Sequence, residues 1–209
     1  MRIANLAYGS IVNQPHSQNY GGKLQVKHEF RKVTNVSIPL IFGRLSSAKN
    51  SSKSRVTLVT DKKGVECPLY YAESEHTNLI KAINEMKSRE GTSLDSNISY
   101  LRTGKPRNLF GRWSIKTIMV SGVEFSGRWK NISEDKIKEI AGWILDEGFD
   151  AAVITEFDSN RTPDEIMGLV TESEGIRSRT KAYFENLPTE AKASLNEHIS
   201  SLGVDTSRN

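Results

Sequence analysis

Runs of apolar residues predict a strand-rich first third of the chain. The runs contain many β-branched or aromatic residues and end at glycine, serine, asparagine or lysine, which is typical of strands bounded by turns. We expect five strands here, over residues 3–8, 24–30, 36–42, 55–60 and 65–72. Gly64 separates the last two, so the sequence predicts a hairpin turn between them. The serine-rich stretch 46–54 cannot bury itself and predicts a long loop.

The following apolar positions have a helical period. Leu79, Ile80, Ile83 and Met86 recur at helical spacing, and Gly91 supplies a C-terminal stop. These residues predict a helix that ends beside the glycine.

A second helix begins after Ser133, a residue type that caps helix N-termini. Its apolar stripe continues to Leu145, and Gly148 ends it. The apolar run 149–157 then predicts a further strand, which we expect to join the core because its residues 151–155 are apolar on both faces.

The remaining segments predict helices. Thr162, Pro163 and Glu165 form a capping-box pattern with proline at the first helical position. Two short helical patterns follow, over 180–186 and 189–200, and Pro188 separates them.

Strands first and helices later indicate the α+β class. We expect a small curved or barrel-like, mainly antiparallel sheet with packed helices and a helical C-terminal part. The prediction is one domain over 1–205, with a sheet-rich core over 1–120 and an α/β and helical extension over 121–205. A dinucleotide-binding fold is not expected, because Gly9 is not followed by a glycine-rich turn that opens a helix.

Composition changes this picture little. The 209 residues are 36% hydrophobic, which suits a globular protein with one core. No apolar run approaches the roughly 18 residues of a membrane span, and the N-terminus lacks an export signal. The only cysteine, Cys67, lies in an apolar strand and is interpreted as a buried side chain rather than a nucleophile. We therefore expect a cytoplasmic protein without a membrane partner.

Positive charge is concentrated in one segment, although the net charge is only +4. Residues 96–123 include no acid, and the aromatic residues Tyr100, Phe110 and Trp113 are interspersed among the basic ones. The basic residues of this segment are Arg102, Lys105, Arg107, Arg112 and Lys116. The segment is either a solvated loop or a surface that faces an anion or a nucleic acid. The modest net charge argues against a dedicated nucleic-acid binder.

Metal and nucleophile motifs are missing from the sequence. The four histidines show no metal-ligand spacing, and Ser10 lies outside a Gly-x-Ser-x-Gly motif. We expect no metal and no cofactor.

Glu90 is the candidate acid of most interest. It stands seven residues after Ile83 and four after Met86, so it continues the apolar face of the predicted helix. Burial there would raise the pKa of its carboxyl group towards the range that suits general acid–base catalysis. The alternative is that the last turn faces solvent and Glu90 pairs with Arg89 or Lys87.

Several short motifs, in their order and separation, resemble the gamma-glutamyl cyclotransferase-like family. They are "AYGS" after the first strand, "FGRLSS" at 42–47, "RVTLVTDKKGVECPLYYA" at 55–72 and "MKSREG" at 86–91. The resemblance covers residues 1 to about 100. It implies that Tyr8, Gly9, Ser10 and Ile11 form a substrate-binding loop and that Glu90 is the acid/base. The family more often has asparagine or leucine after the serine, where this chain has Ile11.

The implied reaction is the intramolecular cyclisation of a gamma-glutamyl amine to 5-oxoproline. Backbone N–H groups of the loop would hold the ligand carboxylate, and Arg44 or the basic segment would attract an anionic ligand at the pocket rim. Two alternatives stay open. One is a non-catalytic sensor or interaction module on the same fold. The other is a nucleic-acid-associated role through residues 102–116.

Overall fold

The computed structural model describes residues 1–13, 22–46, 54–92, 97–104, 117–127 and 129–206. Most of the serine-rich stretch expected as a loop lies outside the described residues. The strands are β1 (Ile3–Ala7), β2 (Arg31–Ser46), β3 (Arg55–Thr60), β4 (Val65–Glu73), β5 (Ile98–Thr103), β6 (Thr117–Val120), β7 (Val123–Ser126) and β8 (Ala151–Thr155). The helices are α1 (Leu79–Glu90), α2 (Glu134–Asp146), α3 (Pro163–Glu172), α4 (Glu174–Glu185) and α5 (Thr189–Ser201).

The strands form one mixed sheet in the order β3-β2-β4-β1-β8-β5-β7-β6. Only β1 and β8 run parallel among the described pairs, and the other neighbours are antiparallel. The α+β class and the mainly antiparallel sheet are therefore confirmed. The sheet is not closed, because the edge strands β3 and β6 do not pair with each other within the described ranges, so a closed barrel is not formed.

Strand β8 lies in the middle of the sheet, between β1 and β5. Ile3 pairs with Ala151 and Leu6 with Ile154 in the parallel ladder, and all five residues of β8 are buried. The prediction that residues 151–155 join the core is confirmed. A strand that is apolar on both faces suits a central position because both faces are covered.

The expected hairpin at Gly64 is wrong. Both β3 and β4 pair with β2 rather than with each other, and Thr60 and Val65 both align with Leu40. The turn that joins β3 to β4 passes over Leu40 of β2. A Cβ atom on Gly64 would lie 2.5 Å from the backbone nitrogen of Leu40. Glycine is needed here because a side chain would collide with that backbone.

Two further predictions differ from the structure. Residues 24–30 form no regular strand. Val26 makes an isolated β-bridge to Ser74, and a few backbone hydrogen bonds lie beside this bridge, such as the one from the Lys27 N–H to the Glu73 carbonyl oxygen at 2.8 Å. Strands β5, β6 and β7 lie in or beside the basic segment that was interpreted as a loop or a ligand-facing surface.

The sheet separates two hydrophobic cores. On β1, Ala4 and Leu6 face the larger core, which α2, α3, α4 and α5 cover, whereas Ile3 and Ala7 face the smaller core under α1. None of the helices within the described ranges is long and apolar enough to cross a membrane.

Local signals at the helix ends agree with the sequence. Gly91 ends α1 in the left-handed conformation at φ 64°, as predicted. Ser133 caps α2, and Thr162 and Glu165 form the expected capping box of α3.

Candidate functional site

The parallel pairing of β1 and β8 brings two chain segments to the same edge of the sheet. Because Leu6 aligns with Ile154, Tyr8 and Glu156, each two residues further on, follow the two strands side by side. The Tyr8 hydroxyl donates a hydrogen bond to the carbonyl oxygen of Thr155 at 2.9 Å. The carboxyl ends of adjacent parallel strands are common positions for ligand sites.

Tyr8 is close to two carboxyl groups. Burial raises the pKa of its phenol well above the ordinary value, and the charges of Glu156 and Glu90 raise it further, whereas Arg44 lowers it. The phenol is therefore neutral at physiological pH and acts as a hydrogen-bond donor. Two of the other predicted residues, Glu90 and Arg44, therefore affect the pKa of the Tyr8 phenol through their charges.

The loop after β1 makes a short 3-10 turn over Gly9–Ile11. Gly9 has φ 69°, a left-handed conformation that glycine adopts without strain. A Cβ atom at Gly9 would lie 2.7 Å from Tyr183 Oη. The Ile11 side chain is buried in the core under α1, so it anchors the loop to the fold.

Tyr183 of α4 holds this loop from the other side. Its Oη accepts a hydrogen bond from the Leu58 backbone N–H at 3.5 Å. Sequence analysis missed Tyr183 because it reads as a core residue of a C-terminal helix.

Glu90 is the last residue of α1, and its side chain is 19% exposed. Its Oε1 accepts a hydrogen bond from Arg89 Nη1 at 3.1 Å. Burial raises the pKa of the Glu90 carboxyl, although the charges of Arg89 and Arg55 oppose the shift. Both sequence interpretations thus apply in part: the carboxylate is mostly buried, and it pairs with Arg89.

Two arginines of the β2–β3 pair contribute positive charge. Arg44 stacks over the ring of Phe157 at 4.6 Å, and its Nη1 donates to the Asp158 carbonyl oxygen at 3.2 Å. Arg55 lies over the ring of Tyr183 at 5.1 Å. The site therefore combines carboxylates, phenols and guanidinium groups, a set that suits a ligand carrying both signs of charge.

Glu156 was also missed by sequence analysis. It is 1% exposed and accepts a hydrogen bond from the Ser99 hydroxyl on β5. The available signal was a carboxylate in the apolar run 149–157, since charged side chains are rarely fully buried unless they are paired. Its link to Tyr8 depends on the parallel pairing, which the sequence did not indicate.

Arg102, the basic residue of this segment that the structure describes, does not lie where it was expected. Arg102 is not on a pocket rim: it is 6% exposed within β5, and its Nη2 lies 3.3 Å from Glu124 Oε2 on β7. Tyr100 is also buried, which removes it as a stacking surface for bases. Lys105, Arg107, Phe110, Arg112, Trp113 and Lys116 lie outside the described residues.

Cys67 and possible metal ligands were the other reactive groups to consider among the described residues. Cys67 is fully buried in β4, and burial raises the pKa of its thiol to about 12, as expected of a core side chain. Within the part of the chain that the structure describes, no group of three or more histidine, cysteine, aspartate or glutamate residues could hold a metal ion.

No family model, no curated protein and no solved structure matches the chain. The interpretation of the site therefore rests on the residues themselves and on the sequence motifs.

Proposed function

We propose that the chain is a gamma-glutamyl cyclotransferase-like enzyme that cyclises a gamma-glutamyl amine to 5-oxoproline, with Glu90 as general acid/base. The observation that carries this proposal is the burial of Glu90, a carboxylate at the end of α1 that is only 19% exposed. Its charge raises the pKa of both Tyr8 and Tyr183. The Tyr-Gly-Ser and Glu-Gly motifs support it by their resemblance to the family.

In the proposed mechanism, Glu90 first accepts a proton from the α-ammonium group of the ligand. The free amine then attacks the γ-carbonyl carbon of the same molecule and forms a five-membered ring. Glu90 returns the proton to the leaving amine as the bond between the γ-carbon and that nitrogen breaks. The ring nitrogen then loses its second proton to Glu90, which passes it to the released amine, so that the amine leaves as an ammonium ion. Holding the two reacting groups of one molecule together removes much of the entropic part of the barrier.

The raised pKa of Glu90 suits this task, because a base with a pKa closer to neutrality can both accept and return the proton. The acidic limb of the pH–rate profile should therefore report the protonation of Glu90. Below its pKa the carboxyl group is neutral and cannot accept the proton, so the rate should fall as the pH is lowered.

The test is Glu90→Gln, which preserves the shape of the side chain and removes its basicity. We expect release of 5-oxoproline from gamma-glutamyl amines to fall by roughly 10²-fold or more. Glu85→Gln is the matched control, because Glu85 is a mostly buried glutamate of the same helix that bonds His76 at 3.2 Å instead. Equal loss in both variants, or full activity in Glu90→Gln, would contradict the role of Glu90.

One observation favours the non-catalytic alternative, a small-ligand sensor. The hydrogen bond from Arg89 holds the Glu90 carboxylate in its charged form, which opposes the effect of burial. The sensor function predicts a wild-type protein that binds gamma-glutamyl compounds in a calorimetric titration and releases no 5-oxoproline from any of them.

A further inference from the structure

The hydroxyl group of Tyr183 has an unused donor. Its oxygen accepts a hydrogen bond from the Leu58 N–H at 3.5 Å, and its own proton is still available for donation. Among the residues that the structure describes, no acceptor takes that proton. The side chain is only 7% exposed, and buried hydroxyl groups ordinarily have an acceptor, so this donor is available to a ligand.

The ring of Tyr183 is held in place on several sides. Phe42 packs edge-on against it with ring centroids 6.3 Å apart, and the Arg55 guanidinium lies over the ring at 5.1 Å. Gly9 leaves room for the oxygen, since a Cβ atom there would be 2.7 Å away. The direction of the hydroxyl group is therefore set before a ligand binds, which lowers the entropic cost of binding.

The charges around Tyr183 favour an anionic acceptor. Arg55 is a partly buried cation without a carboxylate partner in the described ranges, and its charge reaches both Tyr183 and Glu90. Burial raises the pKa of the Tyr183 phenol, and the charge of Arg55 opposes that shift. The phenol therefore keeps its proton and can donate it to an anionic acceptor.

We infer that Tyr183 and Arg55 form a carboxylate-binding subsite, in which the Tyr183 hydroxyl and the Arg55 guanidinium bind the carboxylate of the ligand. This inference rests on the proposed function for the ligand class. It differs from the expectation from the sequence in that a phenol and a guanidinium group, rather than the loop N–H groups, bind the carboxylate. An amino-acid head group would then have its ammonium towards Glu90 and its carboxylate towards Arg55.

The test compares two probes and three variants by calorimetric titration. 5-Oxoproline carries the carboxylate, and 2-pyrrolidinone has the same ring without it. Wild-type protein should bind 5-oxoproline more tightly than 2-pyrrolidinone. Tyr183→Phe should weaken binding of 5-oxoproline by about 10- to 100-fold, the scale of one hydrogen bond to a charged group, and should leave 2-pyrrolidinone unaffected.

Tyr70→Phe is the matched control, since Tyr70 is a buried tyrosine whose hydroxyl donates to Glu190 at 2.8 Å. It should bind 5-oxoproline as the wild type does. Arg55→Gln provides an independent variant, which should weaken 5-oxoproline binding and reduce its dependence on salt. Thermal melts verify that each variant is folded.

The outcomes separate this inference from the proposed function. A wild-type protein that releases no 5-oxoproline from gamma-glutamyl amines, yet binds 5-oxoproline through Tyr183, contradicts the enzyme and supports the subsite. Equal binding of 5-oxoproline by the wild type, Tyr183→Phe and Arg55→Gln overturns the subsite, whether or not the protein is active. Failure of the wild type to bind 5-oxoproline also overturns it.

Discussion

Substitution of Gly9 by alanine tests the contact between the loop and α4 through protein stability. Two costs are expected. The φ of 69° is left-handed, which costs an alanine about 1–2 kcal/mol. The new methyl group would also lie 2.7 Å from Tyr183 Oη, and overpacking of this kind costs about 1–3 kcal/mol. Gly9→Ala should therefore lower the free energy of unfolding by about 2–5 kcal/mol.

The second cost disappears when the Tyr183 oxygen is removed. In Tyr183→Phe the nearest remaining atoms to the methyl group, Leu58 Cδ1 and the ring Cζ, would be 3.8 Å away, an ordinary contact. Tyr183→Phe has its own cost of about 1–3 kcal/mol, because the Leu58 N–H group loses its acceptor. The double variant should consequently be more stable than the sum of the two single losses by about 1–3 kcal/mol.

Urea unfolding of the four proteins, followed by fluorescence and circular dichroism, measures this coupling. Tyr70→Phe replaces Tyr183→Phe in a parallel cycle with Gly9→Ala, and that cycle should be additive because Tyr70 bonds Glu190 instead. The reasoning is refuted if Gly9→Ala and Tyr183→Phe are additive within about 0.5 kcal/mol.

Two further predictions concern the sheet. Asn5 is fully buried in β1, and neither of its side-chain polar atoms has a hydrogen-bond partner among the described residues. Asn5→Leu should therefore raise the free energy of unfolding, measured in urea, by about 1–3 kcal/mol. A loss of stability would contradict this prediction. Glu73 bonds Arg2 and Lys27, which lower the pKa of its carboxyl to about 2 from 4.5. The resulting stabilisation is complete above pH 4.5 and is lost as the pH falls towards 2. In an acid titration, the free energy of unfolding of Glu73→Gln should therefore depend less on pH than that of the wild type. An unchanged dependence would show that these ion pairs do not cause the loss of stability in acid.

The helix ends could be predicted from the sequence because their causes are local. The capping box at Thr162 and Glu165 satisfies backbone N–H groups within four residues, and Gly91 provides a left-handed stop for the preceding helix. Such signals do not depend on the rest of the fold.

The strands of the basic segment could not be predicted, because their stability depends on distant partners. From the sequence alone, Arg102 is expected to be exposed to solvent. In the fold, its charge is balanced by Glu124, which lies directly opposite on β7. A buried charge is tolerated when it is paired, and the sequence does not reveal that pairing.

The candidate site was predicted only in part for the same reason. Glu90 could be predicted from its helical spacing, and the Tyr8–Ile11 loop from short motifs. Glu156 and Tyr183 reach the site through the β1–β8 pairing and the packing of α4 on β3, which join residues more than 100 positions apart. An apolar helix face shows that a side chain is buried, but it does not identify what that side chain contacts.

The central position of β8 also has a consequence for synthesis on the ribosome. When the first 120 residues have emerged, β1 and β5 still lack the strand that joins them, so each has an unpaired edge. Exposed edges of this kind attract other strands and promote aggregation. The nascent chain therefore completes its sheet, and with it the arrangement of Tyr8 beside Glu156, only after residue 156 has left the exit tunnel.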